Sequence, residues 1–150
     1  MCGIIAAAST RNVGKLLVQG LHRMEYRGYD SAGIALHQLD GVAHLRTLGK
    51  VQLLEDRMIE EKPRSKLGIA HTRWATHGEP SETNAHPHKS NEEVFIVHNG
   101  IIENHLELKA ELEKEGYSFA SQTDSEIIAH LLDSVPYTHL RAHETEAYLV

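Results

Sequence analysis

Two runs, SAGIALHQ (31–38) and VAHLRTLG (42–49), stand on either side of Asp40-Gly41. An Asp-Gly pair tolerates the positive φ angles of a tight hairpin turn, so the two runs read as an antiparallel strand pair. The other segments must pack around that pair. GIIAAA (3–8), KLGIAHTR (66–73) and EVFIVHNG (93–100) are short apolar runs read as buried strands, the first of them buried on both faces. Val13, Leu16, Leu17, Leu21 and Met24 recur at three- and four-residue intervals, which lays them on one face of a helix starting near Asn12. KVQLLEDRMIEEK (50–62) reads as a second, more charged helix, and NHLELKAELEKEGY (104–117) as a solvated one ending at Gly116. TDSEIIAHLLD (123–133) reads as a short amphipathic helix with Asp124 and Ser125 where an N-cap belongs. From Trp74 to Asn91 the chain is rich in Gly, Pro, Ser, Asn and His without apolar periodicity, and loops of this size in compact domains are often functional. Strands and helices in this order predict an α+β architecture, with helices packed on antiparallel sheets.

Charge and cysteine usage narrow the function. The 150 residues suit one domain or a piece of one. The net charge is -6 and no Lys/Arg cluster forms a phosphate-tracking surface, which argues against nucleic acid as a partner. No apolar stretch approaches the roughly 20 residues of a membrane helix, and the start lacks a basic segment followed by a long apolar run, so a cytoplasmic location is expected. The single cysteine, Cys2, has no partner for an internal disulfide and cannot build a thiolate zinc site. A lone cysteine is most often an inert small hydrophobe. Loss of Met1 would change that, because thiol and α-amine would then share one residue. An α-amine has an ordinary pKa near ~8, so a useful fraction is unprotonated at neutral pH and can serve as the base for its own nucleophile.

Five blocks carry a resemblance: MCGI (1–4), EYRGYDSAGIA (25–35), GIAHTRWATHGEPSETNAHPH (68–88), HNGIIENH (98–105) and QTDSEIIAH (122–130). In this order and at these separations they resemble the glutaminase domain of the glutamine:fructose-6-phosphate amidotransferase (glucosamine-6-phosphate synthase) family, among the class II glutamine amidotransferases and N-terminal nucleophile hydrolases. The likeness runs from Met1 to about Asp133. It implies a four-layer α-β-β-α sandwich of antiparallel sheets whose C-terminal half is missing. It divides the chain into 1–133, a partial glutaminase domain, and 134–150, SVPYTHLRAHETEAYLV, which does not match the family and is read as an artefact of assembly. The implied reaction is hydrolysis of L-glutamine to glutamate and ammonia through a thioester, with the ammonia normally used to make glucosamine-6-phosphate. Fructose-6-phosphate would be met only through sugar isomerase domains that this chain lacks. Neither cofactor nor metal is implied, and full-length members are expected to be homo-oligomers.

The resemblance also distributes roles. Cys2 is the nucleophile, and Asn99 and Gly100 donate to the oxyanion. Glycine there lets its backbone N–H approach closely. Taken alone, Asn99-Gly100 also reads as a hairpin turn. Arg73 takes the glutamine α-carboxylate with its planar fork, and Asp124 takes the α-ammonium. Thr76 and His77 belong to a loop that folds over glutamine, and Trp74 lies in the same loop near the ammonia passage. Arg27, Asp30 and His86 are expected to hold the nucleophile end in place. Two other readings stand beside this one. His71, His77, His86, His88 and His98 are candidate ligands for zinc or another transition metal in a metal-dependent hydrolase, although their spacing fits no recurrent pattern. An inactive truncated remnant would carry the reacting residues without the scaffold that aligns them.

Overall fold

The structure is a computed structural model that describes residues 2–74 and 78–135. Eleven segments follow in chain order: β1 (Gly3–Ala8), α1 (Gly14–Met24), a 3-10 turn (Glu25–Arg27), β2 (Ser31–Gln38), β3 (Gly41–Leu48), α2 (Val51–Glu61), β4 (Leu67–Arg73), β5 (His88–Ser90), β6 (Val94–Ile96), α3 (His105–Lys114) and α4 (Glu126–Ser134). One antiparallel sheet has the order β1-β4-β2-β3, and β5-β6 form a second. Helices α1 and α2 pack on the four-stranded sheet, α4 packs on the two-stranded one, and α3 packs on α4. The sheets face each other, joined by His44 Nε2 to the Pro87 carbonyl at 2.8 Å and by Arg46 Nη1 to the Thr83 carbonyl at 3.1 Å. The result is the expected α-β-β-α order of layers.

Alternation along the strands decides which residues meet the helices. Ala32, Ile34 and Leu36 of β2, Leu45 of β3 and Ala70 of β4 point toward α1 and α2, where they form the core with Val13, Leu17, Val18, Leu21, Val51 and Leu54. Each fully buried Leu or Ile there contributes about 1.5–3 kcal/mol relative to exposure. The helix stripe differs from the expected one at a single position: Leu16 is 55% exposed, and Val18 takes its place in the core.

Three further expectations are corrected. The hairpin is present, but Gln38 pairs with Gly41, so the two turn residues are Leu39 and Asp40, and Gly41 (φ +128°) opens β3. Strand β1 is not buried on both faces. Among the described residues it is an edge strand paired only with β4; Ile5 and Ala7 pack on the helix side, while Ile4, Ala6 and Ala8 are exposed on the other. The 74–91 segment is not all loop, since β5 lies at its end and pairs with β6. No helix among the described residues is long and apolar enough to cross a membrane.

Candidate active site

The pairing of Gly3 with Thr72 brings the start of β1 beside the end of β4. Cys2 and Trp74 are thereby joined: the Trp74 backbone N–H donates to Cys2 Sγ at 3.2 Å, and the thiol lies 3.6 Å from the Trp74 carbonyl oxygen. Cys2 is half-buried and lies in a cleft of about 350 Å³ that Arg27, Arg73, Trp74, His86, Asn99, Gly100 and Asp124 also line. Residues from all four sequence blocks beyond the start thus reach the sulfur's cleft.

Each of these side chains has a local cause for its position. Asn99 follows β6, and its Nδ2 donates to the Cys2 carbonyl oxygen at 3.2 Å while its Oδ1 lies 2.8 Å from His71 Nε2. Its role is not that of a hairpin turn, because the chain runs on into α3 without a strand to pair. At Gly100 a Cβ would stand 2.5 Å from His98 Nε2, so no other residue fits without moving that ring. Arg73 ends β4 on the face opposite the helix core and is buried, with Nη1 3.4 Å from the Glu79 carbonyl and Nη2 3.3 Å from that of Gly78. Asp124 is buried and accepts the Ile102 backbone N–H at 2.7 Å and the Ser125 hydroxyl at 3.4 Å. Ser125 stands at the N-cap of α4 as expected, but among the described residues no side chain caps the helix, and the Asp124 carboxylate is committed to the Ile102 segment instead.

The 25–35 block supports the site from behind. Asp30 donates its backbone N–H to the Arg73 carbonyl at 3.2 Å and accepts from the Gly49 N–H at 2.7 Å and the Ser31 hydroxyl at 3.0 Å. It ties β2 and β3 to the end of β4 instead of lining the cleft. Gly28 allows that approach, since a Cβ there would lie 2.8 Å from the Arg73 carbonyl carbon. Trp74 is 45% exposed and meets Tyr29 edge-on, ring centroids 5.4 Å apart. Thr76 and His77 lie outside the described residues.

Three histidines fill the space between the sheets. The rings of His71 and His86, and of His86 and His88, have centroids 4.3 Å apart, and His88 Nε2 meets the Thr123 hydroxyl at 2.8 Å. Burial pushes the pKa of His71 down to about 4 and of His88 to about 3. His86 is pushed down further, by burial first and then by its histidine neighbours. All three are uncharged at neutral pH, which permits these close ring contacts, tilted for His71–His86 and edge-on for His86–His88. Among the described residues no three His, Cys, Asp or Glu side chains converge to hold a metal ion. His71 entered the sequence reading only as a candidate metal ligand; its bond to Asn99 joins positions 28 apart and leaves no local sequence signal. Glu126 was also missed. It is buried and takes the backbone N–H groups of Ala120 at 2.9 Å and Ser121 at 2.7 Å, fixing the segment that leads into Asp124.

Comparison with known proteins places the chain in a family and a fold. A family profile described as a glutamine amidotransferase domain matches residues 71–145. Curated relatives named glutamine–fructose-6-phosphate aminotransferase [isomerizing] are 58% identical in Haemophilus ducreyi and 57% identical in Escherichia coli K12, each over 134 residues and 89% of this chain. The relative of that name in Legionella pneumophila is 54% identical over 145 residues. The chain spans only 22% of the length of the first two. Among solved structures, the glutamine phosphoribosylpyrophosphate amidotransferase of Bacillus subtilis superposes on 91% of the chain with a TM-score of 0.76 at 24% identity, covering 30% of that protein and showing a shared fold. A structure described as the allosteric regulatory enzyme of purine biosynthesis gives a TM-score of 0.77 at 25% identity.

Proposed function

Because the chain belongs to the glutamine amidotransferase domain family, we propose that it carries the glutaminase half-reaction, hydrolysing the side-chain amide of L-glutamine to glutamate and ammonia. The observation that carries this reading is the convergence of Cys2 Sγ, Asn99, Arg73 and Asp124 on one cleft. Cys2 Sγ attacks the amide carbon, and the thiol proton passes to the α-amine that removal of Met1 exposes. The tetrahedral oxyanion takes hydrogen bonds from the Asn99 amide and the Gly100 N–H, two groups that line the cleft beside Cys2. Collapse of the intermediate breaks the C–N bond, the α-amine returns the proton to the leaving ammonia, and a thioester remains on Cys2. Water, deprotonated by the same amine, then releases glutamate and restores the thiol.

Arg73 pairs with the substrate α-carboxylate through its fork and Asp124 with the α-ammonium. Arg27, Asp30 and His86 hold these groups in register. Thr76, His77 and Trp74 complete the enclosure of glutamine. Residues 1–133 are the part of the chain to which the reaction is assigned, with 134–150 outside it. In the longer relatives, ammonia transfer to fructose-6-phosphate would yield glucosamine-6-phosphate and would need the parts of those proteins beyond this chain. Homo-oligomers and a cytoplasmic setting belong to the same proposal.

The test is glutamate release from glutamine by the chain lacking Met1. Cys2→Ala should abolish turnover, a loss of about a thousandfold or more, with the unfolding midpoint unchanged. A residue left ahead of Cys2 should do the same by turning the amine into an amide. Wild type as silent as Cys2→Ala would identify an inactive remnant instead.

A further inference from the structure

We infer that His71 is the positioning residue that sets the direction of the Asn99 side-chain amide, holding its N–H end toward Cys2; this rests on the glutaminase reading above. His71 lies fully buried on β4, on the face turned away from the helix core, and reaches across to Asn99 beyond β6, with Nε2 2.8 Å from Oδ1. An asparagine amide has one end that only accepts and one that only donates. With Oδ1 occupied by an N–H from His71, Nδ2 is turned to the Cys2 carbonyl at 3.2 Å. One of its two hydrogens is used there, and the other remains for an oxyanion. Rotating the amide by half a turn would set its NH2 against the histidine N–H and its oxygen against the Cys2 carbonyl, two repulsive contacts in place of two hydrogen bonds.

The orientation therefore depends on which ring nitrogen of His71 carries the proton. Nδ1 is buried and has no hydrogen-bond partner among the described residues. A proton on Nδ1 would be stranded, whereas on Nε2 it is accepted by Asn99, so the environment selects the Nε2–H form. The opposite form would present a lone pair to Asn99 and favour the amide orientation that points oxygen at the oxyanion. The His86 ring packs against it, with centroids 4.3 Å apart and the planes tilted by 31°.

Nitrogen NMR of the whole chain labelled with 15N-histidine tests this directly. The expected result at neutral pH is His71 protonated on Nε2, with that signal shifting in Asn99→Ala; the Nδ1–H form, or no response to Asn99→Ala, overturns the inference. This readout does not need turnover, so a chain that releases no glutamate refutes the glutaminase reading without deciding this one. In an active chain, His71→Phe keeps a stacked ring but no donor and should lower kcat roughly ten- to a hundredfold at nearly constant KM. His71→Gln, whose amide nitrogen reaches the same place, should recover most of that loss. In an Asn99→Ala background His71→Phe should cost nothing more; an equal loss in both backgrounds would overturn the positioning role.

Discussion

The two faces of the four-stranded sheet carry opposite chemistry within the same strands. On the helix side β2 and β4 contribute Ala32, Ile34, Leu36 and Ala70 to an apolar core. One residue over, the same strands present Ser31, Gly33, His71 and Arg73 to the second sheet, and β3 adds His44 and Arg46. Gly33 shows how closely that sheet approaches, since a Cβ there would lie 2.1 Å from the His86 carbonyl oxygen. Stability and reactivity are thus separated by the two-residue period of a strand: the helix face can be filled with interchangeable hydrophobes, while the other face is committed to groups with defined hydrogen-bonding ends.

The largest expected effect comes from acid and should strike only one face. His44 and His71 are held at about 4 and His88 at about 3, in each case by burial first. Their folded pKa values lie below the unfolded value of about 6.5. Above pH 6.5 neither state binds the proton and stability is intact. As pH falls from 6.5 toward 4 the unfolded chain alone takes up protons, and each such group removes about 1.4 kcal/mol of stability per pH unit. Four histidines of this kind, His86 included, are enough to unfold a domain of ordinary stability before pH 4. Urea midpoints measured across that range should fall steadily, and His88→Gln should flatten the slope. A midpoint constant between pH 6.5 and 4.5 would break the contrast, because the helix-side core contains nothing that titrates.

The complementary change is Leu17→Ala, fully buried on the helix side. It should cost about 2–5 kcal/mol, read as a lower urea midpoint. The KM for glutamine of the folded fraction should not move, since Leu17 is remote from the Cys2 cleft. A raised KM would mean that the two faces are mechanically coupled.

What the sequence showed and hid follows from the range of the interactions. Hairpin β2–β3 and helices α1 and α2 rest on neighbours within a few residues, and their patterns were readable. The Cys2, Arg73, Asn99 and Asp124 set was readable only through the resemblance; spacing alone left Asp124 as a helix cap and Asn99 as a turn. The Ile102 N–H that claims Asp124, and the His71 that orients Asn99, lie 22 and 28 residues away. Strand β5 has three residues, HKS, too few to show a period. In GIIAAA the uniformly apolar run concealed which face is covered, because only its edge position in the sheet decides that.

The smallest expected effect tests that last point with adjacent residues. Ile4 and Ile5 sit side by side on β1 and point to opposite faces. Ile5 meets α1 so closely that its Cδ1 is 2.2 Å from where a Gly20 Cβ would be, and it packs against the helix-side core. Ile4 is 38% exposed on the other face. Ile5→Ala removes packed methyl groups and should cost about 1–3 kcal/mol. Ile4→Ala, on the edge strand's open face, should stay within about 0.5 kcal/mol of wild type. The measurement is the difference between two urea midpoints in one buffer, which cancels effects common to shortening an isoleucine on this strand. Equal costs would mean that the face carrying Ile4, Ala6 and Ala8 is covered in solution, and the division between a filled helix side and an open far end of the inner layer would no longer hold.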